Sequence, residues 1–392
     1  MSNLKIYCEN LESTALAQIS ALAEYPAYQE VPIRIMPDAH AGAGCTVGTT
    51  MALRDKVTPN LVGVDIGCGM RVVELGKVEV DPARLDAIIN AMVPSGMNIR
   101  TERVPECAMA EELIRSLIAY QNAWPMDYLA LSVGTLGGGN HFIELDRDDD
   151  GNAYLVIHSG SRNLGVKVCK HYQKKADTHM KRLADNRSAL IALMKAEGRE
   201  KEIAIELAKL PRVKVESNPL AYLEGEEFDD YLHDMDLCQR FAVLNRLTMA
   251  RVILEGLGLT PQAEWETIHN YIDVKSMILR KGSISAQVGE RVIIPMNMRD
   301  GSLVCVGKGN PDWNWSAPHG AGRLLSRSEA NDRIDMEDFR KDMEGVASWS
   351  VCSSTRDEAP GAYKPTESII SQIVPTVTVE NIIRPVFNYK AH

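Results

Sequence analysis

Five histidines lie in short segments that are dense in small or polar residues, several of them glycine. They are His40, His141, His158, His269 and His319. Glycine has no side chain to pack and lets the backbone approach a ligand closely. The pattern therefore favours ligand binding over core packing for these imidazoles.

A sixth glycine-rich segment places Asp65 and Cys68 three residues apart. A carboxylate and a thiolate at this spacing can reach one metal ion or two adjacent ions. With the imidazoles of His141, His158 and His269 they would form a mixed oxygen, sulfur and nitrogen ligand set. Such a set suits Mn, Fe, Co or Zn and is unlike a Mg or Ca site. Two such ions could hold a phosphoryl group from both sides.

Three arginines are candidate phosphate ligands. Arg162 and Arg323 each follow a loop of small residues, and Arg327 follows a serine. Backbone N–H groups in such loops bind anions, and a guanidinium binds phosphate with two parallel hydrogen bonds. Arginine is common on protein surfaces, but two of these share a loop with a candidate ligand or nucleophile. The loop before Arg323 consists of Gly320, Ala321 and Gly322.

Several common enzyme motifs are missing from the chain. It contains no GxxxxGK[ST] phosphate loop, no GxSxG nucleophile elbow and no CxxC pair among its eight cysteines. These absences disfavour a P-loop nucleotidase, a serine hydrolase and a zinc ribbon. A nucleoside triphosphate would therefore be held by other means.

The composition is that of a soluble globular protein. The 392 residues are 45% hydrophobic and carry a formal charge of −10, with no apolar run long enough for a membrane span. The N-terminus lacks a signal-peptide pattern, so we expect a cytoplasmic protein with free thiols. The negative charge argues against broad coating of nucleic acid, so any nucleic-acid partner needs a local basic site.

Hydrophobic patterning predicts strands near both ends of the chain and helices in the middle. The predicted strands cover 31–36, 46–53, 69–75, a hairpin of 142–145 and 154–157, 283–306 and 382–389. The predicted helices cover 81–92, 106–124, 166–210 and 228–257, with breaks at Pro211 and Pro219. We expect an α+β fold in which residues 1–392 form one domain with a helical insertion at about 165–258.

Seven segments together point to a known family. They span residues 37–40, 64–69, 134–144, 158–162, 280–282, 319–327 and 357–364. In content and in order they closely resemble the RtcB family of RNA ligases, and the resemblance covers nearly the whole chain. It implies an α+β architecture unlike that of the lysine-nucleophile ligases.

The resemblance also implies an activity. It would be a GTP- and Mn²⁺-dependent ligase that joins an RNA 3′-phosphate, or 2′,3′-cyclic phosphate, to a 5′-hydroxyl in RNA repair or tRNA splicing. The family's guanylylated histidine matches His319, through which GMP passes to the RNA. The family's ligands for two Mn²⁺ ions match Asp65, Cys68, His141, His158 and His269, with the thiolate bridging the ions.

The family's guanosine-binding positions match Asn140, Glu144, Ser302, Tyr363 and Lys390. A carboxylate at Glu144 would accept hydrogen bonds from guanine N1–H and N2–H, and Lys390 would donate to O6. ATP would be rejected because buried polar groups would stay unpaired.

Further expectations concern other positions near the nucleotide. Asn297 stands where many members have a serine, and Arg299 and Asp300 replace small residues. The loop residues Gly320, Ala321 and Gly322 are further candidate nucleotide contacts. Asp38 or His40 could orient His319 or a phosphate.

Two other functions remain open from the sequence. Two-metal sites also serve hydrolysis, so the chain could be a phosphoesterase that opens cyclic phosphates without ligation. An RNA-binding accessory protein is a third possibility, which the charge of −10 disfavours. The expected partners are GTP and RNA with 3′-phosphate or 2′,3′-cyclic phosphate and 5′-hydroxyl ends, with no membrane, and we expect a monomer.

Overall fold

The computed structural model describes residues 3–120, 124–210 and 218–391. Its strands are β1 (Leu4–Ile6), β2 (Ile33–His40), β3 (Val47–Ala52), β4 (Lys56–Val57), β5 (Gly69–Gly76), β6 (Phe142–Arg147), β7 (Ala153–Ser159), β8 (Leu223–Glu224), β9 (Ala263–Ile268), β10 (Asn270–Asp273), β11 (Ile278–Lys281), β12 (Ser283–Ser285), β13 (Arg291–Asn297), β14 (Gly301–Gly307), β15 (Ser316–Pro318) and β16 (Val377–Tyr389). Its α-helices are α1 (Ser13–Ala23), α2 (Pro59–Val62), α3 (Pro82–Met92), α4 (Glu106–Arg115), α5 (Met126–Ala130), α6 (Arg162–Ala196), α7 (Ile203–Ala208), α8 (Glu226–Leu257), α9 (Arg327–Arg333), α10 (Met336–Asp342) and α11 (Thr366–Ile373). Helices and strands mix along the chain, which confirms the α+β class.

A seven-stranded antiparallel sheet carries most of the site. Its order is β13-β14-β16-β6-β7-β5-β9, and its two edge strands approach each other. The backbone N–H of Ile293 in β13 donates to Oγ1 of Thr267 in β9 at 3.2 Å. Arg291 pairs with Glu74 across the same gap at 3.2 Å. The sheet therefore curls toward a barrel, and one face encloses an apolar core that includes Val72.

A second sheet has the order β1-β2-β3-β11-β10, with β1 parallel to β2 and the other pairs antiparallel. Two short ladders, β12 with β15 and β4 with β8, join neighbouring segments. The β12–β15 ladder ends at Pro318, one residue before His319. It thus fixes the start of the loop that contains the candidate nucleophile.

The long helices of the middle segment pack into the main core. The first half of α8 contributes Tyr231 and Phe241 to the core below the five-stranded sheet, and its second half contributes Met249 and Ile253 to the core of the seven-stranded sheet. Acidic side chains in its first turn suit the positive end of the helix dipole, and Gly258 ends it in a left-handed conformation. The segment expected as an insertion therefore shares its core with both sheets.

Most of the predicted elements are present. The hairpin and the helices at 81–92 and 228–257 are confirmed. The helix predicted at 166–210 is too long, because α6 ends at Ala196 and the left-handed Gly198 separates it from α7. The predicted helix at 106–124 is too long, because α4 ends at Arg115. The buried carboxylate of Asp234 accepts hydrogen bonds from the backbone N–H groups of Ile118 and Ala119, each at 2.8 Å, and this stabilises a turn instead. Residues 121–123 and the break at Pro211 lie outside the described residues.

No helix in the described part of the chain is both long enough and apolar enough to cross a membrane.

Candidate metal centre and catalytic cavity

Four candidate ligands meet at one edge of the seven-stranded sheet. Cys68 precedes β5 and His141 precedes β6, whereas His158 lies near the end of β7 and His269 follows β9. These strands are neighbours in the order β6-β7-β5-β9 and all run antiparallel. In an antiparallel sheet the start of one strand lies beside the end of the next. The topology therefore brings together side chains that are up to 201 residues apart (269 − 68).

The ligand atoms of Cys68, His141 and His158 lie within 4.8 Å of one another and form a possible metal-binding cluster, which His269 and Asp65 each extend through one contact. The Cys68 thiol sulfur is 3.4 Å from Nε2 of His141 and 3.3 Å from Nε2 of His158. Nε2 of His158 is 3.3 Å from Nε2 of His269, and Nε2 of His141 is 3.0 Å from a carboxylate oxygen of Asp65. The structure thus brings together all five predicted metal ligands.

The second ring nitrogens indicate which atoms carry protons. Nδ1 of His141 lies 2.9 Å from the carbonyl oxygen of Leu136, and Nδ1 of His158 lies 3.2 Å from that of Asn140. A carbonyl only accepts hydrogen bonds, so Nδ1 is assigned the proton in both rings. Both Nε2 atoms then direct lone pairs at the cluster. Converging lone pairs, a thiol and a carboxylate fit a metal cation.

The electrostatics of the cluster agree with this fit. Burial lowers the pKa of His158 and of His269 well below the usual value, so both rings are neutral and able to ligate. Burial and the neighbouring Asp65 raise the pKa of the Cys68 thiol. A bound cation would offset the burial cost of a Cys68 thiolate.

The turn that presents Asp65 and Cys68 is held from below by α8. The fully buried guanidinium of Arg246 donates to the carbonyl oxygens of Gly67 at 2.9 Å and Ser159 at 2.7 Å, and also to the Glu266 carboxylate at 2.8 Å. It therefore joins the start of β5 to the end of β7.

His319 lies beside this cluster and has a different partner. Its ring centroid is 5.0 Å from that of His269. Its Nδ1 and its backbone nitrogen lie 2.6 Å and 3.1 Å from the same carboxylate oxygen of Asp38, which is fully buried in β2. An ionised carboxylate only accepts, so Nδ1 is assigned the proton and Nε2 keeps a free lone pair.

Glycine makes this contact possible. Gly322 has φ +74°, and a Cβ there would lie 2.3 Å from the carbonyl oxygen of Asp38. The loop after His319 can therefore fold against β2 only with a residue that lacks a side chain at this position. Lys364 stabilises the same strand, because its ammonium group donates to the carbonyl oxygens of Pro37 at 2.8 Å and Ala39 at 3.4 Å.

A cavity of about 770 Å³ opens next to His319. It is large enough for a nucleotide. The predicted site residues that line it are His40, Asn140, Glu144, His158, His269, Asn297, His319, Gly320, Ala321, Gly322, Arg323, Arg327, Tyr363 and Lys390.

A family model described as “tRNA-splicing ligase RtcB” matches residues 18–130 and 126–391. The chain belongs to the RtcB family. The RNA-splicing ligase RtcB of Escherichia coli K12 is 29% identical to it over 425 residues, which cover 96% of this chain and 94% of the relative. The tRNA-splicing ligase RtcB of Thermococcus kodakarensis is 24% identical, over 95% of this chain and 89% of the relative. The resemblance predicted from the seven segments is confirmed.

Of the nucleotide and phosphate ligands predicted for this RtcB member, two lie away from the cavity lining. Ser302 is fully buried in β14, and its hydroxyl has no partner among the described residues. Arg162 contacts the hydroxyl of Thr135 at 3.2 Å and the carbonyl oxygen of Gly96 at 3.3 Å, behind His141. Their predicted contacts to nucleotide and phosphate would therefore need a change in local structure.

The remaining nucleotide candidates have internal partners. Glu144 accepts a hydrogen bond from the amide of Asn388 at 2.6 Å, and burial raises the pKa of its carboxyl to about 7. Asn297 closes a turn, since its side-chain oxygen accepts from the backbone nitrogens of Arg299 at 3.0 Å and Asp300 at 2.9 Å. The side chain of Asn297 is thus largely satisfied within its own loop.

His40 also lines the cavity. Its Nδ1 lies 3.0 Å from the carbonyl oxygen of Asp38, and burial lowers its pKa to about 4. The ring is therefore neutral at pH 7 and faces the cavity. It supports the strand that holds Asp38 and does not contact the Asp38 carboxylate through Nδ1.

Sequence reasoning missed Glu358, which lines the cavity, and Asn388, which is buried beside Glu144. Asn388 bonds to Glu144, and Glu358 bonds to Tyr363 at 2.7 Å and to Lys390 at 3.1 Å. Glu358 lies inside one of the seven family segments, which was the available signal. Nothing about Asn388 in the sequence distinguishes it from an ordinary strand residue.

Proposed function

We propose that the chain is an RNA ligase that uses GTP and Mn²⁺ to join RNA 3′-phosphate or 2′,3′-cyclic phosphate ends to 5′-hydroxyl ends. The observation that carries the proposal is the position of His319. Its Nδ1 is bonded to Asp38, and it lies beside five converging ligand groups at a nucleotide-sized cavity. The family and the names of its relatives support RNA ligation over other phosphate chemistry.

The first step would be guanylylation of His319. Nε2 attacks the α-phosphorus of GTP, a nitrogen–phosphorus bond forms, and pyrophosphate leaves. Asp38 holds the ring at Nδ1 and stabilises the positive charge that the ring acquires. Glu144 and Lys390 in the cavity wall can recognise the guanine edge.

Water would first open a 2′,3′-cyclic end, breaking the bond from phosphorus to O2′ and leaving a 3′-phosphate and a 2′-hydroxyl. Ligation would follow in two further steps. An oxygen of the RNA 3′-phosphate attacks the phosphorus of the histidine-bound GMP, and His319 regains its lone pair. The 5′-hydroxyl oxygen then attacks the activated 3′-phosphate, loses its proton and expels GMP. Two Mn²⁺ ions held by Asp65, Cys68, His141, His158 and His269 would neutralise charge on the phosphate oxygens.

Labelling tests the proposal. With GTP labelled at the α-phosphate and Mn²⁺, the wild-type chain should become labelled, and H319A should not. The control is H171A, a histidine of α6 outside the cavity lining, which should label normally. A wild-type chain that stays unlabelled while opening 2′,3′-cyclic phosphates would instead support the phosphoesterase.

A further inference from the structure

The carboxylate of Glu358 is surrounded by donors. One oxygen accepts from the Tyr363 hydroxyl at 2.7 Å and from the Lys390 ammonium at 3.1 Å. The other accepts from the guanidinium groups of Arg327 at 2.6 Å and Arg323 at 3.4 Å. The side chain is 3% exposed, so these contacts replace most of its hydration. A buried carboxylate with four donors is held in one position by charge-assisted hydrogen bonds, whereas a solvent-exposed ion pair contributes little.

These donors come from separate parts of the chain. Arg323 follows His319 by four residues, Arg327 begins α9, and Lys390 follows β16. Glu358 ends the short 3₁₀ helix Ser353–Glu358. One carboxylate thus connects the loop of the candidate nucleophile to the C-terminal strand of the seven-stranded sheet.

All of these side chains line the cavity. Arg327 also pairs with Asp357, so the group holds three cationic and two anionic side chains. Its formal charge is +1 with both carboxylates ionised. Burial acts to raise the pKa of Glu358, but Lys390, Arg327 and Arg323 hold it at about 2, so the carboxylate is ionised at neutral pH.

We propose that Glu358 is a positioning residue for the nucleotide, holding Arg323, Arg327 and Lys390 in the geometry that receives its polyphosphate and base. This rests on the proposed function. Long cationic side chains are costly to order, so fixing them before the ligand arrives improves binding. A carboxylate that competed with phosphate for the same cations would have the opposite effect on affinity.

The test is the KM for GTP in guanylylation by E358Q. The amide loses the negative charge and presents N–H groups to cationic donors, so we expect KM to rise about tenfold to a hundredfold. The maximal labelling rate should stay within about threefold, because Glu358 contacts neither His319 nor a metal ligand. E358D keeps the charge on a shorter side chain and should recover part of the affinity.

Matched variants separate positioning from folding. Glu106 is also buried and pairs with Arg251 at 2.6 Å, but it lies outside the cavity lining, so E106Q should weaken folding without changing the KM for GTP. A KM in E358Q that is unchanged or lower than wild type overturns the proposal. If E358Q does not fold, E358D decides, and a KM within about twofold of wild type overturns it. Failure of the wild-type chain to label would instead refute the proposed function.

Discussion

The bond between Asp38 and His319 gives a quantitative prediction. In Asp38→Ala the Nδ1–H and the backbone N–H of His319 both lose a carboxylate acceptor. Each hydrogen bond to a charged group is worth about 1.5–3 kcal/mol, so the loss is about 3–6 kcal/mol. If that stabilisation is fully expressed in the transition state, guanylylation slows by about 10²- to 10⁴-fold.

Asp38→Asn should have a smaller effect, for a reason specific to this site. The other carboxylate oxygen of Asp38 is buried and has no partner among the described residues. The amide can therefore place its oxygen toward His319 and keep both hydrogen bonds without the charge. Neutral hydrogen bonds are roughly half as strong, so we expect a loss of about tenfold to a hundredfold.

Single-turnover labelling with α-labelled GTP at saturating concentration measures both rates. The expected order is wild type, then D38N, then D38A, with thermal unfolding measured beside each variant. An Asp38→Ala chain that labels within about threefold of the wild-type rate refutes the reasoning. If D38N labels more slowly than D38A, the introduced amide directs its NH₂ group, and not its oxygen, at His319. The Nδ1 proton of His319 then depends on the negative charge of the Asp38 carboxylate.

Three further predictions concern the base, the metal and the loop. Burial raises the pKa of Glu144 to about 7, so its carboxylate becomes more ionised as the pH rises. The KM for GTP should therefore fall about tenfold from pH 6 to pH 8 in the wild type, and it should not change with pH in E144Q. Mn²⁺ at about 100 times its Kd should raise the unfolding temperature by about 3 °C, and EDTA should reverse this increase. An equal increase in Cys68→Ala would contradict the assignment of Cys68 as a metal ligand. Gly322→Ala should lower the free energy of unfolding, measured by urea titration, by about 1–3 kcal/mol, because the added Cβ meets the Asp38 backbone. Gly361→Ala is the control and should not change the free energy of unfolding, because a Cβ there has no neighbour within 4 Å.

The sequence predicted which residues form the site better than it predicted their contacts. The candidate metal ligands other than His269 stand in glycine-rich segments, and glycine marks places where the chain approaches a ligand or another strand. Strand neighbours could not be predicted, because the order β6-β7-β5-β9 joins segments far apart in the chain. Arg246 is one example. An arginine in a helix is expected to be exposed to solvent, but Arg246 is fully buried below Gly67.

Contacts in the nucleotide cavity depended on details that patterns do not encode. Nearly every residue of β14 is buried, so the hydroxyl of Ser302 is enclosed, which its position in the sequence does not reveal. Asn297 has the side chain to form a turn with its own backbone, which competes with binding a ligand. The end of α4 was missed because its stabilising partner, Asp234, lies more than a hundred residues away.

Proximity to the cavity does not by itself select the nucleophile. His40, His158 and His269 line the cavity together with His319. His40 and His158 direct Nδ1 at backbone carbonyls, whereas His319 directs it at the buried carboxylate of Asp38. A ring that forms a bond to phosphorus while keeping its Nδ1 proton becomes positively charged, and a full negative charge stabilises that state more than a carbonyl dipole does. Because Nδ1 of the candidate ligands His141 and His158 faces only backbone carbonyls, the charged partner distinguishes His319 as the candidate nucleophile.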